Sequence, residues 1–199
     1  KTKNFKMEII VHRVNRLEDL KKLSKTYGAE IDIRSDGSKL ILNHEPFQGG
    51  CNFIDYIENY NHGTLILNIK EAGIENEVLK VLKLKKINSY FLLDVEMPYM
   101  YSSSQKGNKN LAVRFSDFES IKIAEYFSNL VSWIWIDTVK TLPIKKENLS
   151  IISKFKSCLV CPERWGRKSD IEIYKKKLEE LKFKPNAIMT SYDCIKLWK

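Results

Sequence analysis

The stretch Gly28-Ala29-Glu30-Ile31-Asp32-Ile33 combines the pattern of a β-strand with two acidic side chains. Side chains two residues apart point to the same face of a strand, so Glu30 and Asp32 share one face while the apolar residues take the other. Two carboxylates side by side inside a fold are costly unless a cation or a basic group neutralises them. We therefore expect a strand that carries chemistry as well as packing.

Short apolar runs and longer stretches of helical period alternate on both sides of this strand, a pattern typical of repeated β/α units. Eight strands are predicted, at residues 8–11, 29–33, 64–69, 90–95, 111–115, 133–137, 157–161 and 187–190. Helices are predicted between them at residues 17–25, 52–59, 75–84, 118–127, 146–155 and 170–181. This count predicts an α/β fold, a single small (β/α)8 TIM barrel.

Two connections depart from the regular alternation. Residues 97–110 hold a proline, three serines and a glycine, and this composition predicts an irregular loop without room for a full helix. After the second strand, residues 35–38 form a predicted turn and residues 40–42 an apolar run, which together predict an added hairpin. The hairpin leads into Asn43-His44-Glu45-Pro46, so a histidine stands at the end of the added element.

The chain of 199 residues lies at the lower limit for such a barrel, roughly 200 residues. No linker or compositional break divides it, and we expect one domain over residues 1–199. Basic residues outnumber acidic ones by 34 to 25, and the resulting net charge of +9 favours anionic partners. Nucleic acid is not expected among them, because the lysines are scattered and no Arg-rich run or known binding motif is present.

The sequence also bears on location and on cysteine chemistry. A transmembrane helix needs about 18 apolar residues or more, and no such stretch is present, while residues 1–6 lack the apolar run of a signal peptide. A cytoplasmic location is therefore expected. The four cysteines are too few and too widely spread for a disulfide scaffold, and their spacing completes no zinc site.

Two of the three histidines, His12 and His44, follow predicted elements in the first quarter of the chain. Function in a barrel is found where strands run into the loops that follow them. A histidine pair can serve phosphodiester cleavage as base and acid, and oxygen ligands such as the neighbouring carboxylates suit Mg or Ca. The structural alternative is that the carboxylates form ion pairs with Arg34 or Lys70 and that the histidines are hydrogen-bonded parts of the framework.

Three short motifs stand in order along this part of the chain: His12-Arg13, residues 28–33, and His44-Glu45-Pro46. They resemble the His-Arg-Gly, Gly-Ala-x-x-Glu-x-Asp-Val and His-Asp-Pro motifs of the glycerophosphodiester phosphodiesterase family, and also the related spider-venom sphingomyelinase D group. The resemblance implies a phospholipase C-like phosphodiesterase barrel with one divalent cation, Mg or Ca. It implies that His12 and His44 are catalytic and that Glu30 and Asp32 are metal ligands.

The third predicted strand matches this family only in part. It reads Leu67-Asn68-Ile69-Lys70, where the family typically has Glu-x-Lys and the sphingomyelinase group Asp-x-Lys. Lys70 matches, whereas Asn68 takes the place of an acidic metal ligand, and its carbonyl can coordinate a hard cation without supplying charge. Val14 replaces the glycine after His-Arg, the following loop lacks Glu-Asn-Thr, and the substrate-covering insertion after His44 is missing.

These residues lead to a hydrolase hypothesis and to alternatives. Four side chains are predicted to bind phosphate or other groups of a small phosphodiester substrate: Arg13, Lys70, Glu96 and Arg114. The first hypothesis is cleavage of a glycerophosphodiester-like substrate, by attack of water or of an internal hydroxyl. The second, motivated by Asn68, is a degenerate barrel that binds a phosphate ester without cleaving it. An unrelated barrel enzyme acting on a phosphorylated sugar or amino-acid precursor is the third.

Overall fold

A computed structural model describes residues 6–199 of the chain. The first five residues, on which the signal-peptide prediction partly rests, lie outside the described residues. Two compact units are distinguished along the chain: Ile10–Lys106, and Gly107–Lys199 together with Ile9 and the described residues before it.

The unit Ile10–Lys106 contains the strands that carry the histidines and the acidic pair. Its strands are β1 (Glu8–Val11), of which the last two residues lie inside the unit, β2 (Gly28–Asp36), β3 (Lys39–Leu42), β4 (Cys51–Asn52), β5 (Leu65–Ile69) and β6 (Tyr90–Leu93). Its helices are α1 (Leu17–Lys22), α2 (Phe53–Glu58), α3 (Glu75–Leu84) and α4 (Met97–Gln105). Strands β1, β2, β5 and β6 pair in parallel in the order β1-β2-β5-β6.

The register of β2 is held tightly at its start and extended at its end. A side chain on Gly28 would meet the backbone oxygen of Thr64 at 2.3 Å, so only glycine lets β2 approach the start of β5 this closely. Beyond the parallel part, β2 continues into an antiparallel hairpin with β3, turning at Gly37 with φ +61°. Because Asp32 pairs with Asn68 in the β2–β5 register, the polar residues of the two strands lie side by side.

The unit that includes Gly107–Lys199 repeats the strand–helix alternation. Its strands are β7 (Ala112–Phe115), β8 (Trp133–Ile136), β9 (Lys156–Val160) and β10 (Ala187–Thr190), all parallel and in this order. Its α-helices are α5 (Ile121–Phe127), α6 (Leu149–Ile152) and α7 (Asp170–Glu180), with short 3-10 segments at Lys146–Asn148, Pro162–Trp165 and Tyr192–Leu197. Strand β8 is buried along its whole length.

All eight predicted strands and the added hairpin are confirmed, but residues 97–110 were wrongly predicted as a loop. Helix α4 spans Met97–Gln105. Its proline lies in the first helical turn, where a missing N–H costs no hydrogen bond, and Gly107 with φ +87° follows its end. Met100 and Ser104, one turn apart, are the buried residues, so packing of one face overrides the weak helix propensity of the serines. The helix predicted at residues 146–155 is broken into a 3-10 segment and the short α6.

None of the helices within residues 6–199 is both long enough and apolar enough to cross a lipid bilayer.

Candidate active site

Glu30 is a buried acidic group of the unit Ile10–Lys106, with 1% of its surface exposed. Its Oε2 accepts a 2.8 Å hydrogen bond from the backbone N–H of Arg13 and lies 3.9 Å from His12 Nε2. Its Oε1 accepts a 3.0 Å hydrogen bond from the Asn68 amide. The turn after β1, in which Arg13 has φ +54°, therefore folds back over β2 and places the predicted catalytic His12 beside the predicted ligand.

Asp32, fully buried on the same strand, has a different set of neighbours. Lys70 Nζ lies 3.2 Å from Oδ1, and the Arg13 guanidinium lies 3.9 Å from Oδ2. Asn15 donates to Oδ2 at 2.8 Å and accepts from the Asp32 backbone N–H at 2.8 Å. Sequence reasoning missed Asn15, although a short polar amide three residues after a candidate catalytic histidine was a usable signal.

The carboxylate pair is undercompensated in charge. The pKa of Glu30 is raised to about 7, first because burial penalises the charged form and second because Asp32 repels it. Hydrogen bonds from Arg13 and Asn68 and the charge of Lys70 lower the pKa but do not cancel this rise. An additional positive charge at this place would remove the cost of ionising Glu30.

The residues present fit a hard divalent cation. Asn68 Oδ1 is buried without a hydrogen-bond donor, and Asp32 Oδ1 has Lys70 nearby but accepts no hydrogen bond. With Glu30 these oxygens form the kind of all-oxygen set that Mg or Ca takes. Within residues 6–199, however, no three side chains drawn from His, Cys, Asp and Glu are grouped so that they could hold a metal ion. Asn68, an amide, is the third possible ligand here.

His44 follows the β2–β3 hairpin and is held through both its ring and its backbone. Its Nδ1 lies 2.5 Å from Glu45 Oε1, and this hydrogen bond is the first cause of a lowered pKa of Glu45. The His44 carbonyl accepts hydrogen bonds of 3.1 and 3.0 Å from the Arg34 guanidinium, which also donates to the Lys70 carbonyl at 3.3 Å. Arg34 thus ties His44 to the end of β5, a role that the sequence did not reveal.

The sequence left open that the carboxylates form ion pairs with Arg34 or Lys70, and the structure contains one of these two ion pairs. Lys70 forms the ion pair with Asp32, whereas Arg34 forms none with Glu30 or Asp32 in the part of the chain that the structure describes. Lys70 is therefore both a charge partner of the pair and a cation beside the site.

A polar cavity of about 640 Å³ opens at the β2–β3 hairpin, and neither His44 nor the carboxylate pair lines it. Arg34, Asp36 and Glu71 supply its charged groups, and Phe47 supplies an aromatic ring. Phe47 is fully exposed and has φ +60°, so the chain holds this ring in solvent on a strained backbone. The cavity is large enough for a small alcohol group attached to a phosphate.

Two predicted substrate residues have other surroundings. Glu96 is exposed at the start of α4, and its side chain forms no capping hydrogen bond there. Arg114 lies on β7 in the other unit, where Glu119 at 2.6 Å and Asp137 at 2.9 Å accept from its guanidinium. Their roles in substrate binding, like the roles of the other site residues, stay predictions.

Comparison with known proteins identifies similar folds among solved structures. Neither a protein-family model nor a curated protein sequence matches the chain. A solved glycerophosphodiester phosphodiesterase from Agrobacterium tumefaciens is similar with a TM-score of 0.64 and 11% identity, covering 94% of this chain and 97% of its own. A glycerophosphoryl diester phosphodiesterase from Parabacteroides distasonis is similar with a TM-score of 0.63 and 13% identity, covering 94% and 84%.

At such identities the likeness shows the fold alone. It confirms the predicted fold class and supports the resemblance seen in the motifs: the chain has the TIM-barrel fold of these two solved glycerophosphodiester phosphodiesterases.

Proposed function

We propose that this chain hydrolyses a small phosphodiester of the glycerophosphodiester kind. The observation that carries the proposal is the buried pair of Glu30 and Asp32, with His12 Nε2 3.9 Å from the first and Lys70 Nζ 3.2 Å from the second. A carboxylate pair in which Asp32 is paired with Lys70 while Glu30 has a raised pKa, next to a histidine, is a site prepared for a cation and an anion together. The fold shared with solved phosphodiesterases supports the same reading.

The site residues divide between charge and positioning. We propose that Glu30, Asp32 and Asn68 hold one Mg or Ca ion, which when bound supplies positive charge to the phosphoryl oxygens. Lys70 and Arg13 add fixed positive charge beside Asp32 and can bind the non-bridging oxygens of the substrate. The cavity lined by Arg34, Phe47 and Glu71 takes one of the two alcohol groups.

The two histidines carry the proton transfers. One imidazole accepts a proton from the attacking water as the oxygen–phosphorus bond forms, and the other, protonated, donates to the alkoxide that leaves as the opposite phosphorus–oxygen bond breaks. The products are a phosphomonoester and an alcohol, and one proton has moved between the histidines. Glu45 and Arg34 act as positioning residues for His44, since they hold its ring and its carbonyl.

The first experiment is turnover of a panel of glycerophosphodiesters and a chromogenic aryl phosphodiester, with Mg, with Ca and with a chelator. We expect metal-dependent hydrolysis that His12→Ala lowers by about a hundredfold or more, the usual contribution of an acid–base group. His62→Ala is the matched control, because His62 contacts the Leu23 carbonyl and Tyr60 instead of the carboxylate pair.

Turnover that survives in both His12→Ala and His44→Ala would refute the histidine assignment. Equal losses in His12→Ala and His62→Ala, with lowered thermal stability in both, would show that the loss comes from folding instead of chemistry.

Binding of a phosphate ester without cleavage is the second candidate function, and Asn68 favours it. The Asn68 amide donates to Glu30, and Lys70 forms an ion pair with Asp32. The two carboxylates therefore need less positive charge from a bound metal ion than a site with three carboxylates needs. Calorimetry with a phosphomonoester in the presence of a chelator distinguishes the two. Saturable binding with no turnover under any metal would favour this candidate.

A further inference from the structure

A second cavity, of about 340 Å³, lies in the unit that includes Gly107–Lys199 and is mostly apolar. Its volume falls at the lower end of small-molecule pockets, roughly 300–1,000 Å³. Leu178, Ile188 and Trp198 form its buried apolar wall, and Met7, Phe183 and Pro185 complete the apolar lining. None of these residues belongs to the candidate active site.

The end of α7 builds one side of the cavity. Lys182 adopts φ +51°, its N–H binds the Glu179 carbonyl at 2.9 Å, and the Phe183 N–H binds the Leu178 carbonyl at 3.0 Å. This is the bonding pattern of a Schellman motif, in which the residue after the left-handed position packs against the last helical turn. Leu178 and Phe183 are therefore brought to the same cavity by the helix ending itself.

The charged residues around the cavity are mainly cationic. Lys175 is occupied, since its Nζ lies 3.1 Å from Glu172 and 2.9 Å from the Leu197 carbonyl. Lys182 and Lys184 are exposed and form no ion pair within residues 6–199, while Glu179 is the acidic residue of the lining. The two unpaired ammonium groups leave a positive field at the rim of an apolar cavity.

Trp198 adds a second, independent observation. Only 5% of its surface is exposed, and its indole N–H has no acceptor among the described residues. A buried donor without a partner costs about 1–3 kcal/mol, and such groups are rare in native structures. A ligand that brings an acceptor into this cavity would remove that cost.

We propose that this cavity binds a free single-chain anionic amphiphile, a carboxylate on an alkyl chain of about ten carbons. Lys182, Lys184 and the Trp198 indole N–H face the carboxylate, and Leu178, Phe183 and Ile188 face the chain. The size follows from the volume, because 340 Å³ holds about ten groups of roughly 30 Å³, the share of one water molecule. Residues 1–5 are disfavoured as the occupant, since they carry two lysines and no acid towards a positive rim.

The probe is decanoate, titrated into the full chain by calorimetry and by the NMR signal of the Trp198 indole N–H, assigned with Trp198→Phe. We expect saturable binding that shifts the Trp198 signal, whereas decyltrimethylammonium, with the same chain length and opposite charge, should bind far more weakly. Lys182→Glu combined with Lys184→Glu should weaken decanoate binding about tenfold or more, since attraction at the rim becomes repulsion.

Lys86→Glu is the matched control, because Lys86 also follows a helix with φ +58° but does not line the cavity. The proposal is overturned by an absence of saturable binding, by equal affinity of decanoate and decyltrimethylammonium, or by equal affinity of the rim variant and Lys86→Glu. Binding that occurs only after removal of residues 1–5, or only to anionic lipid vesicles, would likewise overturn it by identifying another occupant.

Discussion

Each unit of the chain buries an acidic side chain on a strand or directly after one, and the two acids differ in what surrounds them. Asp137, 2% exposed after β8, accepts from Arg114 at 2.9 Å and from the indole N–H groups of Trp165 at 2.9 Å and Trp135 at 3.4 Å. Glu30 on β2 has two hydrogen bonds from neutral donors and a second carboxylate as its neighbour.

The comparison separates a structural acid from a candidate functional one. Asp137 has a cation and two N–H donors, so its charge is matched inside the protein. Glu30 is matched only in part, and the rise of its pKa to about 7 is the physical sign of that deficit. The sequence alone does not separate them, since each is a carboxylate beside an isoleucine of a predicted strand.

The strongest effect is expected on activity, when Glu30 loses its charge. Replacing Glu30 by Gln removes one of the two carboxylates of the pair while keeping the shape of the side chain, and turnover of the phosphodiester panel should fall about a hundredfold to a thousandfold. Thermal stability should hold or rise, because the repulsion from Asp32 disappears. Full activity in Glu30→Gln would remove the carboxylate pair from the proposed chemistry.

The second effect is expected on stability, when Asp137 loses its charge. Asp137→Asn removes the ion pair between Asp137 and the Arg114 guanidinium, and we expect a loss of about 2–4 kcal/mol in the free energy of unfolding. Denaturant unfolding measures the loss. Turnover per folded molecule should stay close to that of the original chain, and a large fall in it would instead make Arg114 and Asp137 part of the site.

The third effect is the pH dependence that Glu30 imposes in the presence of a chelator. With its pKa at about 7 in the folded chain against 4.5 ordinarily, the folded state binds a proton more tightly than the unfolded state. The stabilising effect of the protonated form is therefore complete below pH 4.5 and is lost as pH rises through about 7. The free energy of unfolding of Glu30→Gln should lack this decline, on the order of 3 kcal/mol. Parallel pH curves for the two proteins would contradict the assignment.

The weakest effect is expected on metal affinity, when a carboxylate replaces the Asn68 amide. Asn68→Asp supplies the carboxylate that the related families typically have, and Mg or Ca affinity should rise about tenfold because the site gains one negative charge. Calorimetry on the two proteins at one pH measures the change. Asn110→Asp, outside the site, controls for added surface charge, and an equal rise in both variants would argue against Asn68 as a ligand.

Much of the fold could be predicted because strands and helices differ in period. All eight strands, helix α3 to the residue, and the β2–β3 hairpin follow from apolar spacing and turn residues. Helix α4 could not be predicted, since its composition favours a loop and only the packing of Met100 and Ser104 decides for a helix. Propensity is local, whereas that packing depends on residues distant in sequence.

The candidate site was predicted in its residue types and less well in its contacts. The contact of His12 with Glu30 and that of Lys70 with Asp32 agree with the predicted grouping. Asn15 and Arg34 were missed as members, because an amide or a guanidinium bound to backbone and carboxylate groups has no spacing rule. Arg114 was placed with the site by its position at a strand end, yet its guanidinium is engaged by two carboxylates of its own unit.

Three features follow from the sequence: the eight strands, the two carboxylates on one strand face and the two histidines beyond strand ends. They depend on period and strand polarity, which are local properties. Only the tertiary structure decided which acid has its charge matched. That matching depends on donors from other strands and turns, Arg13 and Asn68 for Glu30 and Arg114 and Trp165 for Asp137, and their approach is set by packing.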